Sequence, residues 1–506
     1  MFLAVMEVQE VIGGLLYLLL AVALLALVLY CCYIKYIHMK YDYIPGPPRA
    51  SFFLGHMTIL LKIILKNEAF HEYLQEWAEE YGPIVRLNIV HRIAICVLSP
   101  EGVKEFLMSP QYPKDRIVYG AFAKMFGIRV LGNGLATDCD TNHWHKQRKI
   151  MDSAFNRIYL SSLMGVFNDK AEDLMKVLEG KANGETEVNM MDLLKRVVLD
   201  IIAKAAFGLE LNTVWGNQTT LLHAVSGAVK ALHVARIPFF QFIPGNRKVV
   251  KEIQEGVRLL RQTAKECIEE RLRALRNGEE TPSDILMKIL ENAVQEGQYD
   301  EENMLDNFLT FFVAGHETSA YLLAFTIMEL GRQPEVLAKL QAEVDMVVGV
   351  KRDINCDDLG NLHYLSQVFK EVLRLYPPVP NFVRWTGTET IIEGVKIPAN
   401  SVLIFSTSTM GRMGKFFQNP LIFDPDRFRK DQPRPYFSFF PFALGPRSCI
   451  GQTFALMKTK VLMAKFLQRF EFQLVPPQSF KMYDVGMLRP LDDVVCRLMP
   501  HQPSCI

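Results

Sequence analysis

From Val11 to Ile34 the chain carries no Asp, Glu, Lys or Arg. An apolar run of this kind is long enough to cross the hydrocarbon core of a bilayer as one helix, which takes about 20 residues. Its flanks are unequal: Glu7 and Glu10 precede it, whereas Lys35, His38, Lys40 and Arg49 follow it. That excess of basic residues places the bulk of the chain on the cytoplasmic side. A cleaved signal peptide fits less well, because a basic leading region is missing and the apolar stretch is too long. Asn217-Gln218-Thr219 forms a glycosylation sequon that a cytoplasmic domain leaves unmodified. Pro45-Gly46-Pro47-Pro48 then provides an extended, semi-rigid strut. The expected organisation is an N-terminal membrane anchor over residues 1–44, a proline-rich hinge over 45–50 and one large domain over 51–506.

Half of the 506 residues are hydrophobic, so the domain can bury a large core. A net charge of +1 lacks the basic excess that a nucleic-acid surface needs. Nine cysteines without a clustered framework or a Cys-x-x-Cys pair fit a reducing compartment better than a secreted scaffold. Helical periodicity dominates, as in Phe70 to Glu80, Ser162 to Leu178, Met191 to Phe207, Val249 to Arg276, Met304 to Leu330, Glu335 to Val348 and Leu365 to Leu375. Short β-like runs occur at Ile84 to Val90, Ile93 to Leu98, Thr390 to Ile392 and Val402 to Phe405. The fold class expected is mainly α with small β-sheets. Two apolar stretches raise the question of lipid contact. Ile59 to Lys66 reads more readily as core, whereas Ile237 to Pro244, with two prolines, is a loop for which burial and exposure stand even.

The stretch Phe442-Ala443-Leu444-Gly445-Pro446-Arg447-Ser448-Cys449-Ile450-Gly451 carries the chemistry. Gly445 and Gly451 permit close approaches that a side chain would block. The helical pattern from Gln452 to Leu467 puts Cys449 near a helix N-terminus, where unpaired N–H groups and the dipole favour a thiolate. A thiolate is what a haem iron needs on its proximal side for O–O cleavage. Arg447 is placed to meet a haem propionate. A buried structural cysteine would explain the sulfur but none of its neighbours.

These residues complete the pattern F-x-x-G-x-R-x-C-x-G, and the chain thereby resembles the cytochrome P-450 family of haem-thiolate monooxygenases. Five fixed positions over about 500 windows arise by chance on the order of 10⁻⁴ times. The resemblance implies the cytochrome P-450 fold, haem b (iron protoporphyrin IX) as cofactor and Cys449 as iron ligand, with Phe442 and Gly451 beside it. Glu371-Val372-Leu373-Arg374 and the segment Phe423 to Phe428 look like the family's structural network, which would be formed by Glu371, Arg374 and Arg427. Trp144-His145-Lys146-Gln147-Arg148 matches W-x-x-x-R and, with Arg384, supplies further propionate partners. Ala314-Gly315-His316-Glu317-Thr318 resembles the family's oxygen-binding groove, in which Thr318 passes protons with Glu317 behind it. A helix kink with satisfied hydroxyls is the bland alternative.

A membrane enzyme of this kind would sit in the endoplasmic reticulum and draw electrons from NADPH through NADPH–cytochrome reductase. Lys146, Lys149, Lys458 and Lys460 are docking candidates, although a solvated face explains them equally well. Further stretches, including Tyr43 to Arg49 and Leu340 to Asp345, resemble the cholesterol 24-hydroxylases and imply hydroxylation of a sterol side chain. Val379 to Val383 departs from that group's pattern, which leaves another lipid or a xenobiotic open as substrate. A peroxide isomerase, which needs no proton relay, is disfavoured by Thr318, and a non-catalytic haem or lipid sensor by retention of both the thiolate and the relay segments. Phe122, Phe126, Phe308, Phe382 and Met487 are the candidates for an apolar pocket wall, with core packing the competing role for each.

Overall fold

The computed structural model describes residues 2–502 except 67, 238 and 434–435, with side chains described from Ile12 onward. The charge-free segment lies in one helix, Phe2–Lys40, whose apolar side chains from Leu15 to Leu29 are exposed. It is long and apolar enough to cross a membrane. Near its end the helix meets the body. Ile34 and His38 are buried, and His38 Nε2 pairs with the Val90 carbonyl at 2.7 Å.

The stretch after it is fastened as well as stiff. Pro45 accepts a hydrogen bond from the Arg86 amide at 2.7 Å, and Pro47 one from His56 Nε2 at 2.9 Å. A side chain at Gly46 would collide with the Arg86 backbone.

Strand Ile84–Ile89 forms an antiparallel hairpin with Arg92–Val97. The latter runs parallel to Ser401–Ser406, which pairs antiparallel with Asn381–Thr386. This four-stranded sheet carries its own core, including Leu87, Ile95, Leu403 and Phe405. Smaller sheets and hairpins complete the β-structure among the described residues.

The larger core belongs to the helices. At its centre runs Glu301–Arg332, capped by Asp300, which accepts from the Asn303 amide, and led by Glu301 and Glu302, which suit its dipole. It is long and apolar enough to span a membrane but is mostly buried, so it is a core helix. Around it pack Met190–Phe207, His363–Leu375 and Gln452–Arg469. Element types follow the sequence expectations closely, with ends moved by a few residues.

The two stretches weighed for lipid contact separate differently from expectation. In Met57–Lys66 only Ile63 is buried and Leu65 is 67% exposed, so the core reading of that segment is corrected. In the loop around position 238, which lies outside the described residues, Phe239 and Phe242 stand well over half exposed.

Candidate active site

The cysteine loop is built by backbone contacts. Gly445 sits at φ +67°, and a Cβ there would land on the Leu107 carbonyl oxygen. Only glycine meets both demands. Pro446 and Arg447 complete a short 3₁₀ turn, and the Cys449 amide donates to the Phe442 carbonyl at 2.9 Å. Helix Gln452–Arg469 starts just beyond, with Gly451 as its cap. A Cβ on Gly451 meets nothing within 4 Å except the Cys449 sulfur at 3.9 Å, so any need for glycine there comes from what fills the cavity.

Cys449 presents its sulfur to a cavity of about 280 Å³ where the helical and sheet cores meet. Burial pushes its thiol up. The Gly451 amide and the charges of Arg148, Lys114 and Lys458 pull the other way without prevailing. Burial and the helix N-terminus thus act on the sulfur in opposite directions.

Basic groups gather on the same wall. Arg447 stacks on Trp144 with its guanidinium carbon 3.9 Å from the ring centroid, and donates to the Asp138 carbonyl at 2.9 Å. Its Nη2 is buried without a partner, and burial together with nearby Arg384 brings its pKa down to about 10. Arg384 is buried, and Lys114 donates to the Ala136 carbonyl at 2.6 Å. Burial first, then Arg384 and Arg447, depress the lysine. Arg148 donates to the Ser448 carbonyl at 2.8 Å. Enclosed cations that repel one another, one with an orphaned N–H, fit a ligand bearing carboxylates. Among the described residues no group of three His, Cys, Asp or Glu could hold a metal. A single sulfur facing a cavity therefore fits a metal that brings its other ligands with it. Haem, with its two propionates, meets both conditions.

The central helix supplies Thr310, Phe311, Ala314, Gly315, Thr318 and Ser319 to the cavity. Gly315 faces Ile202, whose Cδ1 would lie 3.1 Å from an added Cβ, so the residue lets Met190–Phe207 pack closely. The helix continues unbroken through this segment. Thr318 Oγ1 donates to the Ala314 carbonyl at 2.8 Å, which leaves its acceptor sites for a water. Glu317 lies outside the cavity wall, buried among Lys195 Nζ at 3.4 Å and His233 Nε2 at 3.2 Å. Burial raises its pKa, but His233, Lys195 and His316 outweigh that and hold it at about 2. Beside it, burial lowers His316 to about 4.

A family model for cytochrome P450 matches residues 45–496. The chain belongs to the cytochrome P450 family. It is 28% identical over 481 residues to cytochrome P450 4d2 of Drosophila melanogaster, covering 90% of this chain and 94% of that one. It is also 28% identical over 418 residues to 11-oxo-beta-amyrin 30-oxidase of Glycyrrhiza uralensis, covering 78% and 76%. The fold matches the crystal structure of the cytochrome P450DA haem domain, with a TM-score of 0.78 at 24% identity over 91% of this chain and 98% of that one. As a P450 the protein is a monooxygenase that uses haem b, with electrons from NAD(P)H through a redox partner.

Within this P450 the remaining expected residues are placed unevenly. Glu371 and Arg374 pair through two hydrogen bonds, and Arg427 Nε joins Glu371 at 3.2 Å. Of the five pocket candidates only Phe382 lines the cavity. Phe308 is corrected to core: its ring centroid lies 4.0 Å from that of Phe207 and 5.1 Å from that of Phe312, both tilted. Phe122, Phe126 and Met487 pack partly buried against the helical core, away from the cavity wall, and Phe126 contacts Phe240 at 6.0 Å. Lys458 is corrected as well. It is fully buried and cannot dock a partner. Lys460 gives its ammonium to the Leu359 and Leu362 carbonyls, Lys149 pairs with Glu296, and Lys146 is exposed. Sequence reasoning missed Lys114 and Tyr119 on the basic wall. No local pattern marks them, because chain segments far apart in sequence bring them to Arg384.

Proposed function

We propose that this P450 is anchored in the endoplasmic reticulum membrane, faces the cytoplasm and hydroxylates a bulky apolar lipid, with a sterol side chain as the specific substrate class. The observation that carries the reading is one cavity that holds the Cys449 sulfur, the Thr318 hydroxyl and an apolar wall including Phe311, Leu322, Val379 and Phe382. Such a lining orients a large hydrocarbon by shape, with few polar groups to bind it. The exposed apolar side chains from Leu15 to Leu29, with Phe239 and Phe242, would hold the protein against a lipid phase in which such substrates dissolve.

The chemistry supplied by the cofactor when bound is reductive cleavage of O₂ with two electrons and two protons, one oxygen entering a C–H bond and the other leaving as water. Cys449 would hold the iron. Arg447, Arg384, Arg148, Lys114 and Trp144 would hold the propionates, and their mutual repulsion would be relieved by those two negative charges. Ala314 and Gly315 keep the central helix close to the cavity without filling it. Thr318 would accept a hydrogen bond from a water and pass its proton inward. Glu317, ionised and outside the wall, would act on Thr318 only by fixing the helix turn they share. The electron donor would be NADPH–cytochrome reductase. A hollow of about 600 Å³ beneath the cysteine loop, lined in part by Arg157, Lys370 and Lys460, would be its seat.

Reconstitution of the full-length protein with NADPH, the reductase and cholesterol tests the reading. A side-chain hydroxysterol is expected. Turnover of other lipids with no sterol product would reject the sterol assignment. A Cys449→Ala protein whose reduced CO adduct kept the wild-type spectrum would reject Cys449 as the ligand.

A further inference from the structure

Lys458 lies on the helix that Cys449 precedes, and both residues line one cavity. Its side chain is wholly removed from solvent. Nζ donates to the Gly315 carbonyl at 2.6 Å and lies 4.8 Å from the Phe454 ring centroid. Among the described residues no carboxylate comes within ion-pairing distance of it, whereas Lys465 on the same helix pairs with Glu172. A buried ammonium with one carbonyl and one ring face for company is costly unless an anion balances it.

The other cations near Cys449 are otherwise engaged. Arg148 pairs with Asp152 at 2.6 Å, and Lys114 stands in the basic wall that fits the propionates. Lys458 has no such partner. The carbonyl it holds belongs to the helix turn that carries Thr318.

We propose that Lys458 is a positioning residue for the monooxygenase reaction: its buried ammonium pins the central helix at Gly315 and sets a positive charge on the wall of the cavity that the Cys449 sulfur faces. This rests on the reading of Cys449 as the iron ligand. A positive charge fixed near the site favours the more negative, reduced form of the iron centre, so Lys458 makes the first electron easier to accept. The hydrogen bond to Gly315 adds a mechanical link, so that the helix bearing the ligand and the helix bearing the hydroxyl move together.

The test uses purified, haem-loaded full-length protein. Lys458→Met removes charge and donor, Lys458→Gln keeps a donor without charge, and Lys458→Arg keeps both. The readouts are the iron reduction potential, the resting spin state and the spectrum of the reduced CO adduct. In Met and Gln the reduction equilibrium should fall at least tenfold, about 59 mV to more negative potential for one electron, with Arg near wild type. All three should retain a wild-type type of CO adduct, which reports the Cys449 bond. Met alone should disturb the substrate-induced spin shift through loss of the Gly315 tether. If Met holds no haem, the Gln and Arg pair gives the same comparison. Potentials unchanged in Gln with a normal CO adduct would overturn the role of Lys458 and leave Cys449 standing. An abnormal CO adduct in the wild type would instead overturn the ligand assignment.

Discussion

Arg374 and Glu371 face each other one helical turn apart through two hydrogen bonds of 2.7 Å, and neither side chain reaches solvent. The guanidinium also donates to the Gly411 carbonyl at 2.5 Å and the Pro420 carbonyl at 2.6 Å, while Arg427 and the Asp424 amide complete the shell of the carboxylate. The pair therefore ties helix His363–Leu375 to the segment leading to the cysteine loop.

Removing one member leaves the other charge buried without compensation, which typically costs about 3–5 kcal/mol. Glu371→Gln should lower the thermal midpoint and weaken haem retention, both measurable on purified protein. Replacing Glu371 and Arg374 together by Met and Leu should cost less than the two single changes summed. Additive losses would show that the pair acts as separate anchors and not as a unit.

The lock and the cysteine loop were legible because their residues stand in short runs that resemble the family's: Glu371 to Arg374 together with Phe423 to Phe428 for one, ten consecutive residues for the other. The cavity wall was not, and helix geometry shows why. Phe308, Phe311 and Phe312 form an aromatic stripe in sequence, yet successive residues turn by about 100°. Phe308 and Phe312 face Phe207, and Phe311 faces the cavity. The same rotation that brings Thr318 to the wall carries its neighbour Glu317 away to Lys195 and His233. Lys458 reads in sequence as one more basic residue beside Lys460 and Lys465. Its complete burial depends on tertiary packing that periodicity does not encode. The basic wall is assembled from segments near residues 114, 144, 384 and 447, and no local pattern announces such a meeting.

Gly445 gives a sharper test of the loop than the cysteine itself. A β-carbon there would enter the Leu107 backbone, and a positive φ is itself unfavourable for a side chain by about 1–3 kcal/mol. Gly445→Ala should yield folded protein with sharply reduced haem content. Haem-to-protein ratios set against circular dichroism would show the separation. Full haem loading in that variant would mean that the loop tolerates a shift of helix Pro100–Met108.

Phe382 and Phe308 should respond in opposite ways. Phe382→Ala opens the cavity wall and should change which lipids perturb the haem spectrum, with little loss of stability. Phe308→Ala empties an aromatic core site and should cost about 3–5 kcal/mol while leaving the ligand profile nearly unchanged. Denaturant midpoints and lipid titrations on both variants decide the matter. A broadened ligand profile in Phe308→Ala would return that residue to the pocket.

The acid response of the fold should run through Glu317. Its folded pKa of about 2 lies below the ordinary glutamate value of 4.5. A carboxyl depressed in this way stabilises the fold fully above its unfolded pKa and loses that contribution as the pH falls towards the folded one. The window is therefore pH 5 down to about 2, and the contribution at neutral pH is on the order of 3 kcal/mol. Urea unfolding of wild type and Glu317→Gln from pH 6 to 3.5 measures it. The wild type should be the more stable at pH 6, and the gap should narrow steadily with acid. Parallel curves would mean that the cluster of Lys195, His233 and Glu317 carries no net charge stabilisation, and Glu317 would then be held by packing alone.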